Sequence, residues 1–209
     1  MEVDALTTCR ARAWRAWKDS PMPMMTAVRT FDITRVLRAA RRRGESLYAM
    51  MCYAILRAAR DIEVFYLYRI GDRMWRYDSL VFNVVLKDKN GGLCFCDVPY
   101  AGTWQEFYSM YKDVSARAYE VCDNILIDDV ARIGASVLLS TELDCVVNQF
   151  IPPYTYPFLF WGRYRQGWWR TKLPISLSFD HVQMDGEHVA QFFNNIAREF
   201  QSLKFLANG

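Results

Sequence analysis

The chain has 209 residues, of which 52% are hydrophobic, 15% aromatic and 23% charged, and its formal net charge is +3. A chain of this length buries a substantial core, and a composition this apolar excludes intrinsic disorder. The charge excess is too small by itself to indicate nucleic-acid binding. The N-terminus has no apolar signal core, and the longest apolar run, residues 48–56, is shorter than the ~20 residues of a membrane span. We therefore expect a cytoplasmic protein, with residues 1–209 forming a single domain that binds neither membranes nor nucleic acid.

The cysteines are scattered along the chain and do not form a metal-site pattern. They are Cys9, Cys52, Cys94, Cys96, Cys122 and Cys145. The only close pair, Cys94 and Cys96, has the wrong spacing for a CxxC motif, and no second pair or nearby histidine completes a zinc site. Without a signal peptide, these residues are predicted to be reduced thiols of the core, and no metal is expected.

The first half of the chain predicts a strand, two helices and two hairpins. In chain order these are a strand at 22–33, helices at 33–43 and 46–60, a hairpin at 64–77 and a second hairpin at 79–98. Asp32 or Thr34 is the predicted N-cap of the first helix, and Gly44 ends it. Ser46 begins the second helix, and Gly71-Asp72 is the predicted turn of the first hairpin.

The second half predicts a long amphipathic helix, three strands and a final helix. In order these are the helix at 103–121, strands at 133–141, 156–164 and 171–181, and the helix at 187–203. Both helices have an apolar stripe at helical spacing. The mixture of hairpins and helices predicts an α+β fold, a two-layer sandwich of a large mixed β-sheet with packed helices.

Two further patterns have both a structural and a functional interpretation. The basic run at 38–43 favours a solvated helix end, where cations interact well with the helix dipole. A polyanion site, or a basic RNA-binding module, is the alternative. The tryptophan clusters at 14–17 and 165–170 favour core or interface packing, with a stacking platform as the alternative.

Both histidines of the chain lie in the stretch SFDHVQMDGEHVAQFF, residues 178–193. His181 falls where a predicted strand ends and a helix begins, and such junctions lie at the edge of a sheet, where clefts form. A histidine there can act as a general base near neutral pH. His188 lies on the predicted helix, and a structural role is expected for it.

Residues 173–193, LPISLSFDHVQMDGEHVAQFF, resemble the active-site segment of chloramphenicol acetyltransferases, which have a His-x-x-x-Asp-Gly signature after such a strand. The segments FDIT, VLLSTEL and PFLFWGRY follow the order of the family over nearly the whole chain. The resemblance implies a two-layer fold, a homotrimer with active sites at the subunit interfaces, and acetyl-CoA as co-substrate. The sequence is also similar to the dihydrolipoamide acyltransferase catalytic cores, which share the fold.

The resemblance also implies roles for four residues. His181 matches the general base, and Ser140 matches the serine that donates a hydrogen bond to the tetrahedral intermediate. Asp185 matches a structural aspartate that pairs with an arginine of the N-terminal segment. Counting back from FDIT places Arg10 in that role, with Arg12 or Arg15 as the alternatives in the same segment. No coenzyme-contacting residue is assigned.

The sequence departs from the family pattern at three places. Asp180 replaces the histidine that precedes the catalytic one, a form typical of dihydrolipoamide acyltransferases. Those enzymes have lipoyl and linker segments before the core, whereas this chain begins at once with core-like sequence, so we expect it not to be one. Leu138 replaces an asparagine, and the N-terminal segment differs from the family's acceptor pocket.

The sequence therefore predicts a CoA-dependent O-acetyltransferase that acts on a hydroxyl group of a small molecule. Chloramphenicol is one candidate acceptor, which would make the chain an antibiotic-resistance enzyme. An acyltransferase that uses another thioester or an amine acceptor is the enzymatic alternative. The alternative from another class is a non-catalytic small-molecule-binding or scaffold trimer with the same fold.

Overall fold

The computed structural model describes residues 1–149 and 155–207, which contain ten strands and five α-helices. The strands are β1 (Glu2–Val3), β2 (Met24–Asp32), β3 (Leu67–Ile70), β4 (Arg73–Arg76), β5 (Leu80–Lys87), β6 (Leu93–Pro99), β7 (Ala131–Leu138), β8 (Phe158–Gly162), β9 (Arg165–Gln166) and β10 (Thr171–Asp180). The helices are α1 (Ala11–Trp17), α2 (Thr34–Arg43), α3 (Leu47–Ala59), α4 (Trp104–Val121) and α5 (Gly186–Ser202). Three short 3₁₀ turns lie at Ala5–Thr7, Glu63–Tyr66 and Lys204–Leu206.

The main sheet is mixed and runs in the order β2-β10-β8-β7-β5-β6. β10 is antiparallel to both of its neighbours, β2 and β8, whereas β7 is parallel to β8 and to β5. β10 is buried along nearly its whole length, as expected for a strand in the interior of a covered sheet. The strand that leads to His181 is therefore fixed from both sides.

Helix α3 lies at the centre of the helical layer and contacts α2, α4, α5 and β5. Its residues 49–56 are all buried, so the longest apolar run of the sequence is a core helix. Tyr53 is fully buried, with its ring 4.9 Å from that of Phe107 and its hydroxyl donating to Ala101 O at 3.0 Å. Each large apolar side chain buried in this way contributes about 1.5–3 kcal/mol, so the helix anchors the sheet.

The N-terminal region packs on the predicted hairpin at 64–77 and forms a small unit with it, and its own strand β1 and helix α1 were not predicted from the sequence patterns. β1 pairs with β4 and β4 with β3 in a three-stranded antiparallel sheet. Trp14 of α1 is buried beside Leu67, Met74 and Val182. A two-residue strand and a seven-residue helix are too short for hydrophobic periodicity to reveal them. Through Val182, this unit reaches the turn that carries His181.

The architecture is the two-layer α+β sandwich that the sequence predicted, and the main helices, both hairpins and the turn at Gly71 are confirmed. The predicted N-cap of α2 was wrong, because Ile33 occupies that position while the Asp32 side chain accepts from Thr34 N at 3.0 Å. Ser46 caps α3 as predicted, by accepting from Ala49 N.

Three further expectations need correction. The strand predicted at 133–141 ends at Leu138, and Ser140 lies in the following turn. The cysteines are not all core thiols: Cys9 and Cys145 are exposed.

Trp168 and Trp169 are 100% and 86% exposed, so they are not packed in the core of this chain. Core packing fails for this pair because both lie in the short connection between β9 and β10, beyond the edge of the sheet.

The basic run at 38–43 lies on α2, with Arg41, Arg42 and Arg43 in its last turn. Gly44 follows with φ of 64°, in the left-handed region where glycine has no steric penalty. The run therefore lies at a helix C-terminus, as the structural interpretation requires.

Within the described residues, none of the helices has the length and apolar character needed to cross a membrane.

Gly162 supports the turn that carries Ser140, and this contact can be tested. A Cβ at this position would lie 2.6 Å from Thr141 O and 2.9 Å from Leu143 N, both backbone atoms. Gly162→Ala should therefore lower the free energy of unfolding by about 1–3 kcal/mol, as overpacking usually does, in a urea titration. Gly102→Ala, whose Cβ meets only the Glu106 side chain at 3.8 Å, is the matched control. Equal stability of the two variants would contradict the close approach.

Candidate active site

The turn at residues 181–184 begins where β10 ends and is shaped by Asp180. The Asp180 side chain is 1% exposed and accepts from Val182 N at 2.8 Å. Its main-chain oxygen accepts from Gln183 N and Met184 N at 3.0 and 3.1 Å. Burial raises the pKa of Asp180, although the bond from Val182 N opposes this effect. The residue that departs from the family pattern thus holds the turn on which His181 lies.

Arg10 joins the N-terminal segment to this turn through three separate contacts. Its Nη1 donates to Asp185 Oδ2 at 2.8 Å, its Nε to Val182 O at 3.0 Å and its Nη2 to His181 O at 3.1 Å. The arginine is 4% exposed. A planar guanidinium group has several donors in fixed directions, so one side chain can fix the whole turn. Within the described residues, neither Arg12 nor Arg15 pairs with Asp185.

Asp185 is also the N-cap of α5. Its side chain accepts from Glu187 N and His188 N, and His188 Nδ1 lies 2.7 Å from Asp185 Oδ1. Partial burial raises the pKa of Asp185, but the hydrogen bonds and charges of Arg10 and His188 outweigh it and lower the pKa to about 2. Asp185 is therefore a carboxylate near neutral pH that links Arg10 to α5, and His188 has the structural position expected for it.

The imidazole ring of His181 is held by two contacts. Nδ1 lies 3.2 Å from Met184 O. Because a carbonyl oxygen only accepts, this contact assigns the proton of the neutral ring to Nδ1 and leaves the lone pair on Nε2. The ring also stacks on Trp17, with centroids 4.8 Å apart and an interplanar angle of 14°. A half-buried imidazole with an available Nε2 can accept a proton from a hydroxyl group.

Ser140 and His181 lie at opposite ends of the strands of the main sheet. β8 is parallel to β7, with Trp161 beside Val137, and antiparallel to β10, with Trp161 beside Ile175. Ser140 follows the end of β7, whereas His181 follows the end of β10. Between Ile175 and His181 the chain extends about 20 Å at ~3.3 Å per residue. One copy of the chain does not bring Ser140 and His181 together.

Charged residues of both signs lie near Ser140: Arg165 pairs with Glu142 and Asp144, and two further arginines are close. Arg163 N donates to Thr141 O at 2.7 Å, which ties the Ser140 turn to the end of β8. At the next position, Tyr164 Oη accepts from Arg41 Nη2 at 3.0 Å. The last turn of α2 and the end of β8 therefore meet close to Ser140, and both present arginines. Leu138, which replaces the family's asparagine, is the last residue of β7 and is 48% exposed.

The structure brings the predicted residues Arg10, Asp185 and His181 together and adds Trp17, which sequence reasoning missed. The signal was present, because Trp17 lies seven residues, or about two helical turns, after Arg10. Any segment that brings Arg10 to the turn also brings Trp17 to it. The structural role of Asp180 was missed as well, because an Asx turn gives no periodic pattern. Within residues 1–149 and 155–207, no group of three histidine, cysteine or acidic residues could hold a metal ion.

Comparison with protein families gives one match that covers most of the chain. The sequence model described as CAT, chloramphenicol acetyltransferase, matches residues 2–197. No curated protein sequence matches the chain.

Solved structures with the same fold include acyltransferases of two kinds. A chloramphenicol acetyltransferase aligns with a TM-score of 0.82 at 20% identity, covering 96% of this chain and 100% of the other. A truncated catalytic core of the 2-oxoacid dehydrogenase complex from Thermoplasma acidophilum aligns at 0.69 and 16% identity, covering 90% and 91%. The dihydrolipoamide acetyltransferase of Azotobacter vinelandii, a structure concerned with the roles of a serine, a histidine and an asparagine in catalysis, aligns at 0.66 and 17%, covering 94% and 87%.

The coupling between Arg10 and Asp185 can be measured with a double-mutant cycle. Arg10→Ala leaves Asp185 without a cation, and Asp185→Asn leaves a buried guanidinium group without its carboxylate. We expect a coupling energy of about 0.5–3 kcal/mol, in the lower part of that range because 39% of the Asp185 side chain is exposed. Urea denaturation of the four proteins measures it, and strict additivity would contradict the contact.

The lowered pKa of Asp185 predicts a specific effect of acid on stability. A carboxyl group whose pKa falls from 3.8 to about 2 on folding stabilises the fold above the unfolded pKa and loses that contribution as pH falls through the folded one. The unfolding midpoint of Asp185→Asn should therefore approach that of the unchanged protein between pH 4 and 2. Asp113→Asn, on the exposed face of α4, is the control, and a constant difference for Asp185→Asn across this range would contradict the prediction.

Proposed function

The chain belongs to the chloramphenicol acetyltransferase family, and from this membership we propose that it moves an acetyl group from acetyl-CoA to a hydroxyl group of a small molecule. The observation that carries the proposal is the fixed imidazole of His181. Its Nδ1 is engaged by Met184 O and its ring is stacked on Trp17, while Nε2 is left for a substrate. A non-catalytic trimer would not need this arrangement.

His181 is the proposed general base. Attack of a hydroxyl group on a thioester carbonyl requires removal of the hydroxyl proton, and Nε2 is the atom that takes it. The resulting imidazolium gives the proton to the sulfur as the CoA thiolate leaves. The carbonyl of Met184 stays bonded to Nδ1–H throughout, so the ring keeps its orientation. Arg10 and Asp185 are proposed to position the turn, and they do not contact the reacting atoms.

Ser140 is the proposed donor to the oxyanion of the tetrahedral intermediate. Loss of such a donor typically costs about 2.7–4 kcal/mol of transition-state stabilisation. Because Ser140 and His181 lie at opposite ends of the strands within one chain, the proposal requires Ser140 of a second copy. A homotrimer, which the resemblance also implies, supplies this second copy at each of three equivalent interfaces.

Acetyl-CoA as the donor is supported by two arginines near Ser140 that have no carboxylate partner within the described residues. The phosphate groups of a coenzyme are anions, and arginine recognises phosphate oxygens with directed hydrogen bonds. Arg41 and Arg163 lie beside the Ser140 turn, and Tyr164 between them offers an aromatic ring. These three residues are the proposed contacts of the coenzyme on the side from which the thioester approaches.

A small acceptor is supported by a cavity at the end of the main sheet where β7 begins, which is also the end where His181 follows β10. Its volume is about 280 Å³, and its lining includes Tyr68, Arg69, Tyr77, Arg132 and Thr155. The volume is near the lower end of small-molecule sites in proteins. Aromatic and aliphatic side chains make up most of this lining, and Arg69, Arg132 and Thr155 are its polar members, which favours an acceptor with an apolar body and a few polar groups. Chloramphenicol is one of the proposed acceptors.

The role of His181 is tested by His181→Ala in an assay that follows release of free CoA thiol with a panel of alcohols that includes chloramphenicol. Turnover should fall about 10²–10⁴-fold, the usual contribution of a general base, while the dissociation constant for CoA stays within about twofold. His188→Ala is the matched control, since it removes the other histidine at the cap of α5, and it should keep most of the turnover.

Turnover of His181→Ala within a few-fold of the unchanged protein would exclude His181 as the base. Specific CoA binding without thiol release from any alcohol or amine in the panel would favour the non-catalytic trimer instead.

A further inference from the structure

The cavity at the end of the sheet where β7 begins, which is the proposed acceptor site, has an unbalanced charge. Among the described residues, its lining consists of three tyrosines, an isoleucine, a valine, a threonine and two arginines, without a carboxylate. The arginines are Arg69 of β3 and Arg132 of β7. The contacts that each guanidinium group already makes therefore decide which charge the cavity accepts from a ligand.

Arg132 is neutralised within the protein. Its Nε donates to Asp97 Oδ2 at 2.9 Å, and the Asp97 side chain is fully buried. The same carboxylate accepts from Ile127 N at 2.9 Å and from Asn83 Nδ2 at 2.8 Å. Breaking a buried pair of this kind leaves an uncompensated charge, so Arg132 is a fixed part of the wall and not a free cation.

The hydroxyl groups of Tyr68 and Thr155 are also in use. Tyr68 Oη donates to Arg132 O at 2.6 Å and accepts from Arg132 N at 3.1 Å, while Thr155 Oγ1 donates to Arg69 O at 3.2 Å. Tyr68 therefore contributes mainly its ring to the cavity, and that ring packs edge-on against Tyr77 with centroids 5.6 Å apart. This aromatic wall suits the apolar body of a ligand.

Arg69 has a donor that no contact satisfies. Its Nε donates to Gly71 O at 2.9 Å, but its Nη1 is buried without a hydrogen-bond partner among the described residues, and none of their carboxylates pairs with it. Burial raises the pKa of Asp180 and the charge of Arg69 partly opposes this, yet Asp180 does not line the cavity. A buried charged donor without a partner is costly, and an anion in the cavity would remove that cost.

The strand that carries Arg69 is tied to the turn that carries His181. Gln183 is 1% exposed, and its Nε2 donates to Val64 O at 3.0 Å, just before β3 begins. Tyr68 and Arg69 are therefore held on the same side of the molecule as the His181 turn. A ligand bound against Arg69 is compatible with the proposed position of the acceptor.

We propose that the cavity selects acceptors that carry one carboxylate group, and that Arg69 is the residue that binds it. One unpaired guanidinium group matches one negative charge, and a volume of about 280 Å³ leaves little room for a larger anion. The acceptor class is a small hydroxy acid with an aromatic or aliphatic body. The identity of this ligand as the acetyl acceptor rests on the proposed function, whereas its binding does not. Chloramphenicol has no carboxylate and is expected to bind more weakly.

Binding is tested by titration calorimetry with 3-phenyllactate, mandelate and their methyl esters, in which the hydroxyl group remains and only the charge is lost. The acids should bind about tenfold or more tightly than the esters, the effect of one charged hydrogen bond. Arg69→Gln should bring this ratio close to one. Arg69→Lys, which keeps the charge without the planar fork, should lower it severalfold and serves if the glutamine variant does not fold.

Arg73→Gln is the matched control, because Arg73 lies on the adjacent strand β4, is 67% exposed and does not line the cavity. It should keep the full ratio between acid and ester. Equal binding of acids and esters by the unchanged protein, binding of neither, or a full ratio in the folded Arg69 variants would overturn the proposal.

Kinetics with acetyl-CoA separate this proposal from the proposed function. If both hold, the unchanged protein releases CoA thiol with a lower KM for the acids than for the esters, and Arg69→Gln raises the KM for the acids far more than it changes kcat. Selective binding of the acids without thiol release would count against the proposed function alone. Thiol release with equal KM for acids and esters would count against the role of Arg69 alone.

Discussion

The contacts of the Arg10 guanidinium group are the constraint on which the rest of the site depends. One side chain, 4% exposed, bonds to His181 O, Val182 O and the Asp185 carboxylate. It thereby joins the N-terminal segment to the turn after β10 and the start of α5, both of which are more than 170 positions away in sequence. A buried guanidinium group is costly unless its donors are used, so the turn and the N-terminal segment hold each other in place. The stacking of Trp17 on His181 follows from the same connection.

The topology of the sheet imposes the second constraint. β10 is antiparallel to β8, and β8 is parallel to β7. Residues that follow β10 and residues that follow β7 therefore lie at opposite ends of the sheet strands. His181 and Ser140 are such residues. A chemistry that uses both therefore requires contacts between copies of the chain, which makes assembly a part of the proposed mechanism. The arginines near Ser140 and the small cavity at the His181 end of the strands are then contributed to each site by different copies.

Much of the fold and part of the site could be predicted because they depend on local signals. The periodic stripe of α5, the apolar run of α3 and the glycine at position 44 each specify a structure through their immediate neighbours. Arg10 was found only through the resemblance and the spacing back from FDIT. Trp17, the Asx turn at Asp180 and the exposure of Trp169 depend on contacts across the fold. The end of β7 was misplaced because the alternation continues past Leu138, while the contact of Thr141 O with Arg163 N turns the chain.

The shared site is tested most directly by mixing two inactive variants. His181→Ala and Ser140→Ala chains, each assembled alone, should have low activity. Co-refolded in equal amounts, they should regain activity, because about one interface in three of each mixed trimer then combines an intact His181 with an intact Ser140. His181→Ala mixed with the double variant is the control and should regain none. If chromatography shows mixed trimers and their activity does not exceed that of the separate variants, the account of a site shared between copies is wrong.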